Sequence, residues 1–383
     1  MSIASIMEQV PGLAREWAAQ RSDRQQRTQG DPADFDRLRQ LGIPLMAVPV
    51  DQGGTWETQA QSARPICVML RTLAQGDPSI TLASAMHHLV LSSWRIPEAP
   101  EPFTQAFDRQ RKAVFQTVRD GAWWGTMVSE PGSGGDTNLT RSEAVPVSPG
   151  ALQYRMSGRK HFASGSGLMR FMTTRAIPQG ETAPDVFYAE LGRGPWDGRQ
   201  GVKLVAEWRG HGMRSTNSHA FDLQDFPATR LAWSGARGPE SGLENLGGIV
   251  FTSVIVGVVD AAMNYTRERL KSNLAQGSAL RAFQQVEWTY AEQEAFLIDR
   301  AWDGTLCQFD QGVSTRRDTL LAKESVARLA ESVLTRLCRL SGGNAYTWYS
   351  PLGGWYEDVR ALGFLRPPWT LAFDQLFTYS WEE

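Results

Sequence analysis

The first third of the chain alternates helical patterns with polar breaks. Apolar residues recur at helical spacing from Ile6 to Trp17 and again from Phe35 to Leu41, and each run predicts one amphipathic helix. The second run follows Asp31-Pro32, and Asp77-Pro78 opens a third, since an aspartate before a proline is typical of a helix start. We therefore predict an N-terminal α-helical domain over residues 1–120.

The pattern changes between residues 121 and 233 to short β-rich runs. Clusters of Gly, Pro, Asn and Asp separate these runs, which is typical of strands joined by turns. The clearest runs are 171–174, 186–188, 202–205 and 219–223. We predict a middle antiparallel β domain here, either a barrel or a sandwich.

Helical spacing returns in the last third of the chain. One face collects Val326, Ala330 and Leu337, whereas the run 249–263 is apolar nearly all round. A helix without a polar face is typical of a buried position in a bundle or an oligomer, and this run is too short to span a bilayer. We predict a C-terminal four-helix-bundle domain over residues 234–383, which gives an α+β chain.

Composition and charge narrow the class of partner. The 383 residues are 42% hydrophobic and carry a formal net charge of −2, without a long Lys/Arg run, so the sequence predicts neither nucleic-acid binding nor membrane insertion. The three cysteines are far apart and the five histidines lack metal-ligand spacing, so we predict no disulfide framework and no metal. We expect a cytoplasmic protein with a small-molecule substrate.

Two glycine-rich segments carry the chemistry. Residues 129–136 read Ser-Glu-Pro-Gly-Ser-Gly-Gly-Asp, and residues 158–165 read Gly-Arg-Lys-His-Phe-Ala-Ser-Gly. A strand that ends in a hydroxyl residue and continues into a glycine-rich turn brings main-chain N–H groups close to a ligand. Because the second segment adds an aromatic ring and another hydroxyl, the pair predicts a site for a flat, anionic, redox-active cofactor.

Together with these motifs, the order helical, β, helical resembles the FAD-dependent acyl-CoA dehydrogenase superfamily, which includes related flavin monooxygenases. Further matches occur in the same order along the chain. They are Gly212-Met213-Arg214-Ser215, Arg269, Gly342-Gly343 and residues 356–360. The resemblance implies an antiparallel β-barrel for the middle domain and FAD as the cofactor.

The resemblance assigns flavin contacts to the middle domain. It implies that Met127, Val128 and Ser129 contact the flavin ring, where main-chain N–H groups stabilise the negative charge of the reduced ring. Phe162 would pack on the face of the ring, and Ser164 would donate a hydrogen bond to flavin N5. Gly135 stands in the same pattern, at a position that usually holds a serine.

A second set of implied contacts lies in the C-terminal domain. Arg269 and Gln284 would reach the FAD of a neighbouring subunit, and Gly342-Gly343 would approach its adenine half. Arg339 replaces a common glutamine just before this turn. Because the cofactor would be shared across an interface, the resemblance implies a homodimer or a homotetramer.

The catalytic base of a dehydrogenase is missing from both positions where the resemblance implies one. Counting eight residues from Asp358 reaches Arg366, which cannot act as a base near neutral pH because its guanidinium stays protonated. The other position falls at Gly247 and Gly248, and Glu244 lies three residues earlier, almost one helical turn away. Glu244 and Arg366 are the candidate catalytic residues.

Three hypotheses follow. The first is dehydrogenation of an acyl thioester such as an acyl-CoA, with a hydride passed to flavin N5, a base such as Glu244, and a separate electron acceptor. The second is a two-component monooxygenase supplied with reduced flavin by a flavin reductase, a branch that the sequence from Phe162 to Gly167 resembles. The third is a non-catalytic flavin-binding protein. The first is the prediction, as the commonest chemistry of the superfamily, and the second is its alternative.

Overall fold

The computed structural model describes residues 2–96, 98–233, 243–277 and 279–381, without the side chains of 243–245. Within these ranges, six α-helices precede the first strand. They are α1 Ile3–Ala19, α2 Arg21–Gln26, α3 Pro32–Gln40, α4 Gln59–Ala74, α5 Pro78–Val90 and α6 Thr104–Arg119. Three of them, α1, α3 and α5, are the ones that the sequence predicts.

The predicted Asp-Pro helix starts are confirmed. Pro32 and Pro78 are the first residues of α3 and α5, where a missing N–H costs nothing. The carboxylate of Asp31 accepts from the N–H of Ala33 at 2.9 Å, and that of Asp77 accepts from Ile80 at 3.0 Å. Each carboxylate therefore satisfies a main-chain donor that the first helical turn leaves without a partner.

Seven strands follow between residues 124 and 230, all in a described range. They are β1 Trp124–Thr126, β2 Glu143–Pro146, β3 Gln153–Ala163, β4 Phe171–Pro178, β5 Asp185–Glu190, β6 Val202–Ala206 and β7 His219–Arg230. The pairings β4-β2-β3-β7-β5 return to β4, so five strands close a barrel, with β1 beside β4 and β6 beside β7. Closure removes the open edges of the sheet.

The prediction of an antiparallel domain is partly wrong, because β4 runs parallel to both β1 and β2. The chain reverses direction from β2 to β3 and again on the way to β4, so β2 and β4 point the same way. Period-2 patterns reveal strands but not which strands become neighbours, so the sequence carried no signal for this pairing.

Five α-helices occupy the described part of the chain after residue 243. They are α7 Leu243–Ala275, α8 Ala282–Asp310, α9 Arg316–Ser341, α10 Leu352–Phe364 and α11 Trp369–Tyr379. The region 246–275 of α7 is long and apolar enough to cross a membrane by length and composition, but 89% of its most apolar window is buried in the protein. It is a core helix, as the sequence predicts, but the expectation that it is too short to span a bilayer is wrong, because the helix extends well beyond the apolar run.

The helices from the two ends of the chain share one core. Arg71 of α4 forms a bidentate ion pair with Asp260 of α7, at 2.6 and 2.9 Å. At the same crossing Gly257 lies against the main chain of α4, where a side chain would collide with the carbonyl of Arg71. The division into domains at residues 120 and 233 therefore stays a prediction, since the packing joins what the sequence pattern separates.

Candidate functional site

Two isolated bridges bring the glycine-rich segments together. Thr126 pairs with Ser164, and Ser129 pairs with His161, whose N–H donates to the Ser129 carbonyl at 2.8 Å. The stretch 126–129 therefore lies alongside the end of β3. Strand pairing within one chain thus assembles the predicted contacts of the middle domain.

Phe162 projects from this surface. Its φ of 55° lies in the left-handed region, which is unfavourable for a bulky residue and is typical of a functional constraint. The ring is 57% exposed, and its edge meets the Trp208 ring at a centroid distance of 6.0 Å. A large aromatic ring held outward at a conformational cost is available to pack against a flat ligand.

The main-chain donors of this stretch are partly engaged within the protein. The N–H of Met127 donates to the carbonyl of Thr173 at 2.8 Å, and its carbonyl accepts from the hydroxyl of Thr174. Met127 is also fully buried. Its polar groups therefore stabilise the sheet and are not available to a ligand.

A buried ion pair that the sequence analysis missed supports the surface from below. The Lys160 ammonium contacts the carboxylate of Glu130, and both side chains are almost fully buried. Glu130 also accepts from the hydroxyl of Thr140, the N–H of Arg141 and both polar groups of Ser142. Burial raises the pKa of Glu130, but these donors, Lys160 foremost, prevail and lower it to about 2.

The sequence contains only a weak signal for the ion pair between Lys160 and Glu130. Lys160 follows an alternating strand pattern in which a charged residue is ordinarily solvent-facing. Glu130 sits inside the glycine-rich motif, next to Ser129. An acidic residue within a ligand-binding turn could have indicated a buried partner, but nothing local identifies that partner as Lys160.

Arg366 reaches the same surface from the C-terminal region. Its Nη2 donates to the Ser129 hydroxyl at 2.6 Å, across 237 residues of sequence. Pro368 packs on Gly135, whose φ of 88° favours glycine. The position that the resemblance reserves for a catalytic carboxylate is therefore occupied by a guanidinium that holds a hydroxyl of the flavin motif. The Glu244 side chain lies outside the described residues.

The predicted contacts of the C-terminal domain are engaged in local structure. The Gln284 side chain accepts from the N–H of Arg281 at 3.0 Å and caps the start of α8. Arg339 is largely exposed and pairs with Glu287 at 3.3 Å. Within the described ranges, no polar contact joins these two residues to Ser129 or Phe162. Their contact with a neighbouring subunit stays a prediction.

Arg269 and the Gly342-Gly343 turn form a second local group. The guanidinium of Arg269 lies 3.0 Å from the side-chain oxygen of Asn344 in the amide orientation that satisfies both groups. Gly342 immediately follows α9 and begins a short 3₁₀ turn. Arg269 therefore ties α7 to this turn, a role within the chain that does not depend on a cofactor.

A cavity of about 470 Å³ is lined by Trp208, whose ring also contacts Phe162. Its walls combine two indoles with basic side chains and one carboxylate, and they include Trp208, Trp348, Arg209, His211, Arg214 and Glu207. The Trp208 indole is fixed by its N–H, which donates to the Met213 carbonyl at 2.9 Å. The volume suits a small organic molecule.

In sequence, the chain is similar to proteins named for flavin chemistry. It is 26% identical over 215 residues to the "Probable FMNH2-dependent monooxygenase SfnC" of Pseudomonas putida, and the match covers 56% of this chain and 47% of that protein, so it spans only about half of that relative. It is 24% identical to the L-evernosamine nitrososynthase of a Micromonospora species, covering 95% of this chain and 86% of that protein. YdbM of Bacillus subtilis, named after the acyl-CoA dehydrogenases, is 23% identical over 94% of this chain. No family model matches.

Solved structures share the fold over nearly the whole chain. KijD3, solved with FMN and a dTDP-linked amino keto sugar, superposes with a TM-score of 0.81 at 20% identity, covering 99% of this chain and 93% of that one. TdsC of Paenibacillus, solved with FMN, gives 0.78 at 16% identity, covering 98% and 97%. The comparisons confirm the predicted resemblance and support a flavin, and both of these neighbours carry FMN where the sequence analysis predicted FAD.

Proposed function

We propose that this chain, which belongs to the acyl-CoA dehydrogenase superfamily, is the oxygenase of a two-component flavin monooxygenase. It would receive reduced FMN from a separate reductase and use molecular oxygen to oxidise a small organic substrate. One oxygen atom enters the substrate, the other leaves as water, and the flavin is oxidised and returns to the reductase. This is the alternative of the sequence analysis, and the named relatives support it better than its main prediction.

The observation that carries the proposal is the hydrogen bond between Arg366 and Ser129. Dehydrogenation of a thioester needs a carboxylate to remove the α-proton, and a guanidinium cannot do so because it stays protonated. Oxygen transfer from reduced flavin requires no such base at this position. Arg366 instead holds the Ser129 hydroxyl in place.

The residues present fit a flavin, since Phe162 offers an exposed ring beside an open glycine turn. Phe162 would pack on the isoalloxazine, the main chain at Val128 and Ser129 would face its polar edge, and Ser164 would lie beside N5. When bound, reduced flavin would supply the electrons that activate oxygen. Phe162, Ser164 and Trp208 would keep water from the ring.

FMN replaces FAD in this proposal. FMN lacks the adenine half that the resemblance assigns to Gly342-Gly343, and the side chains of Gln284 and Arg339 already have partners within the chain. A flavin without adenine leaves these contacts unnecessary for binding. The neighbours KijD3 and TdsC support this choice of flavin.

We propose that the cavity lined by Trp208 binds the part of the substrate that does not react. Its two indoles suit a planar group, and Arg214 suits a negatively charged substituent, whereas Arg209 already pairs with Glu207 at 3.7 Å. Arg214 lies 5.4 Å from the Trp348 ring centroid, so the two side chains already form one wall. Indole, with which TdsC was solved, and a dTDP-linked sugar represent the neutral and anionic candidates.

We also propose that the protein acts as a homodimer or a homotetramer. Four aromatic side chains follow one another at four-residue intervals along α11 and just past its end, and each is at least half exposed. They are Trp369, Phe373, Phe377 and Trp381. A stripe of this kind favours burial against another surface. Sedimentation velocity would contradict this proposal if the flavin-loaded protein ran as a monomer.

A direct experiment separates the two reactions. The full chain is mixed with reduced FMN under nitrogen and then exposed to oxygen in the presence of indole or a dTDP-linked sugar. We expect oxygen consumption, product formation and only partial loss of electrons to hydrogen peroxide. If the protein instead retains oxidised flavin that an acyl-CoA bleaches under nitrogen, the dehydrogenase hypothesis is correct.

A further inference from the structure

Three buried hydroxyls form a chain behind Phe162. The Oγ of Ser164 lies 2.8 Å from that of Ser218, which lies 2.8 Å from the Oγ1 of Thr216. Thr216 Oγ1 lies in turn 2.9 Å from the carbonyl oxygen of Met213. All three hydroxyl residues are at most 9% exposed, so these contacts are not exchanged freely with water.

Counting protons fixes the direction of this chain. A carbonyl oxygen only accepts, so the single hydroxyl proton of Thr216 points at Met213. Ser218 must then supply the proton between itself and Thr216, and Ser164 must supply the proton between itself and Ser218. The opposite direction would leave two lone-pair-bearing oxygens 2.9 Å apart without a proton between them, which costs free energy in a buried site.

The carbonyl at the end of the chain is held firmly. Met213 has a φ of 49°, and its N–H donates to the buried carboxylate of Asp358 at 2.6 Å. Its oxygen also accepts from the Trp208 indole at 2.9 Å. Because both main-chain polar groups of Met213 are anchored, Thr216 has a fixed acceptor and the direction of the chain does not reverse easily.

We infer that the hydroxyl of Ser164 is a hydrogen-bond acceptor toward the proposed flavin site beside Phe162, and that Ser218 and Thr216 set this role. This corrects the donor role that the resemblance implies, because the only proton of Ser164 is already used. A group that faces Ser164 must therefore carry an N–H or O–H. Thr216 and Ser218 are positioning residues, since they act through Ser164.

This inference rests on the proposed function and deepens it. The N5 atom of oxidised flavin has a lone pair, whereas N5 of reduced flavin carries a hydrogen. An acceptor at Ser164 therefore matches the reduced flavin and repels the oxidised one. The hydroxyl chain would let the protein accept reduced FMN from a reductase and release the oxidised product.

The test compares the affinities of the two redox states. Thr216→Val keeps the shape of the side chain but removes the end of the chain, so Ser164 becomes free to turn its proton toward the proposed flavin site. One hydrogen bond is worth about 1 kcal/mol, so we expect the ratio of the Kd for oxidised FMN to that for reduced FMN to fall about fivefold to tenfold. Equilibrium dialysis under nitrogen, with dithionite for the reduced state, gives both constants.

Two further variants show whether a changed ratio arises from the hydroxyl chain. Thr252→Val removes another buried hydroxyl that donates to a carbonyl, in α7 and outside the hydroxyl chain, and it should leave the ratio unchanged. Ser164→Ala removes the acceptor itself, so it should weaken the binding of reduced FMN and should not weaken that of oxidised FMN. The inference is overturned if Thr216→Val and Ser164→Ala both bind FMN with the wild-type ratio.

The outcome also separates this inference from the proposed function. If the wild-type protein binds both redox states but does not prefer the reduced one, only the inference about Ser164 fails. If the wild-type protein binds no flavin at all, the proposed function fails and the inference fails with it. A circular dichroism spectrum of each variant shows that lost binding does not reflect lost folding.

Discussion

The two sets of predicted flavin contacts differ in how the chain holds them. Around Ser129 and Phe162, strand bridges, a buried ion pair and a hydroxyl chain fix each group from behind. Gln284 and Arg339 in the helical region sit at or near exposed helix ends and are engaged in capping or surface pairing. Binding sites need supported side chains, so we propose the barrel surface as the cofactor site.

The largest expected effect comes from breaking the buried ion pair between Lys160 and Glu130. Lys160→Met leaves the Glu130 carboxylate buried without its cation, which should lower the free energy of unfolding by about 3–5 kcal/mol. Urea denaturation measures this change. Arg159→Met, at the neighbouring exposed ion pair with Asp222, is the matched control and should leave the free energy of unfolding nearly unchanged, because solvent screens an exposed pair.

A similar loss in both variants would contradict this difference between buried and exposed pairs.

The Lys160–Glu130 pair also makes the stability of the wild-type protein depend on acid. The pKa of Glu130 lies at about 2 in the folded state, below its ordinary 4.5, so its contribution to stability is complete above about pH 4.5 and is lost as the pH falls toward 2.

The second prediction concerns a contact between the helical region and the barrel surface. Asp358 of α10 accepts from Met213 at the end of the hydroxyl chain. Burial raises its pKa to about 7, and the nearby Asp77 and Glu357 add to this while Arg214 opposes it. The folded protein therefore holds a proton that the unfolded chain releases above about pH 4, and stability declines from there to about pH 7.

Asp358→Asn removes this decline, because an amide does not ionise and its oxygen still accepts from Met213. We expect the free energy of unfolding at pH 8, relative to pH 5, to be higher in the variant by on the order of 1–3 kcal/mol. Glu357→Gln, one residue earlier on the same helix, is the control. An unchanged pH dependence in Asp358→Asn would show that this carboxyl does not link the two regions as described.

The sequence predicted the glycine-rich turn around Phe162 and Ser164 better than it predicted contacts between distant parts of the chain. Phe162 and Ser164 belong to a local glycine-rich pattern, which limits the backbone conformations available and so reveals the turn. The bond from Arg366 to Ser129 spans 237 residues, and the parallel pairing of β4 is equally non-local. Periodicity describes which face of an element is buried but not what lies against it, so these contacts required the structure.

The third effect separates backbone strain from packing in the glycine-rich turn. Gly134 and Gly135 both have positive φ, but an added methyl would meet nothing within 4 Å at Gly134 and would lie 2.7 Å from Pro368 at Gly135. Alanine at either position should cost about 1–2 kcal/mol for the backbone. Only Gly135→Ala should also displace the segment that carries Arg366 and weaken FMN binding, as measured by fluorescence titration.

The smallest effect belongs to the helical region. Gln284→Ala removes one side of the cap of α8 and should lower the free energy of unfolding by about 0.5–1 kcal/mol. Because FMN has no adenine half, the affinity for reduced FMN should stay within about twofold in both Gln284→Ala and Arg339→Gln. If either variant keeps its fold but loses affinity for flavin by tenfold or more, this region contacts the flavin of a neighbouring subunit. FAD would then be the better candidate for the cofactor.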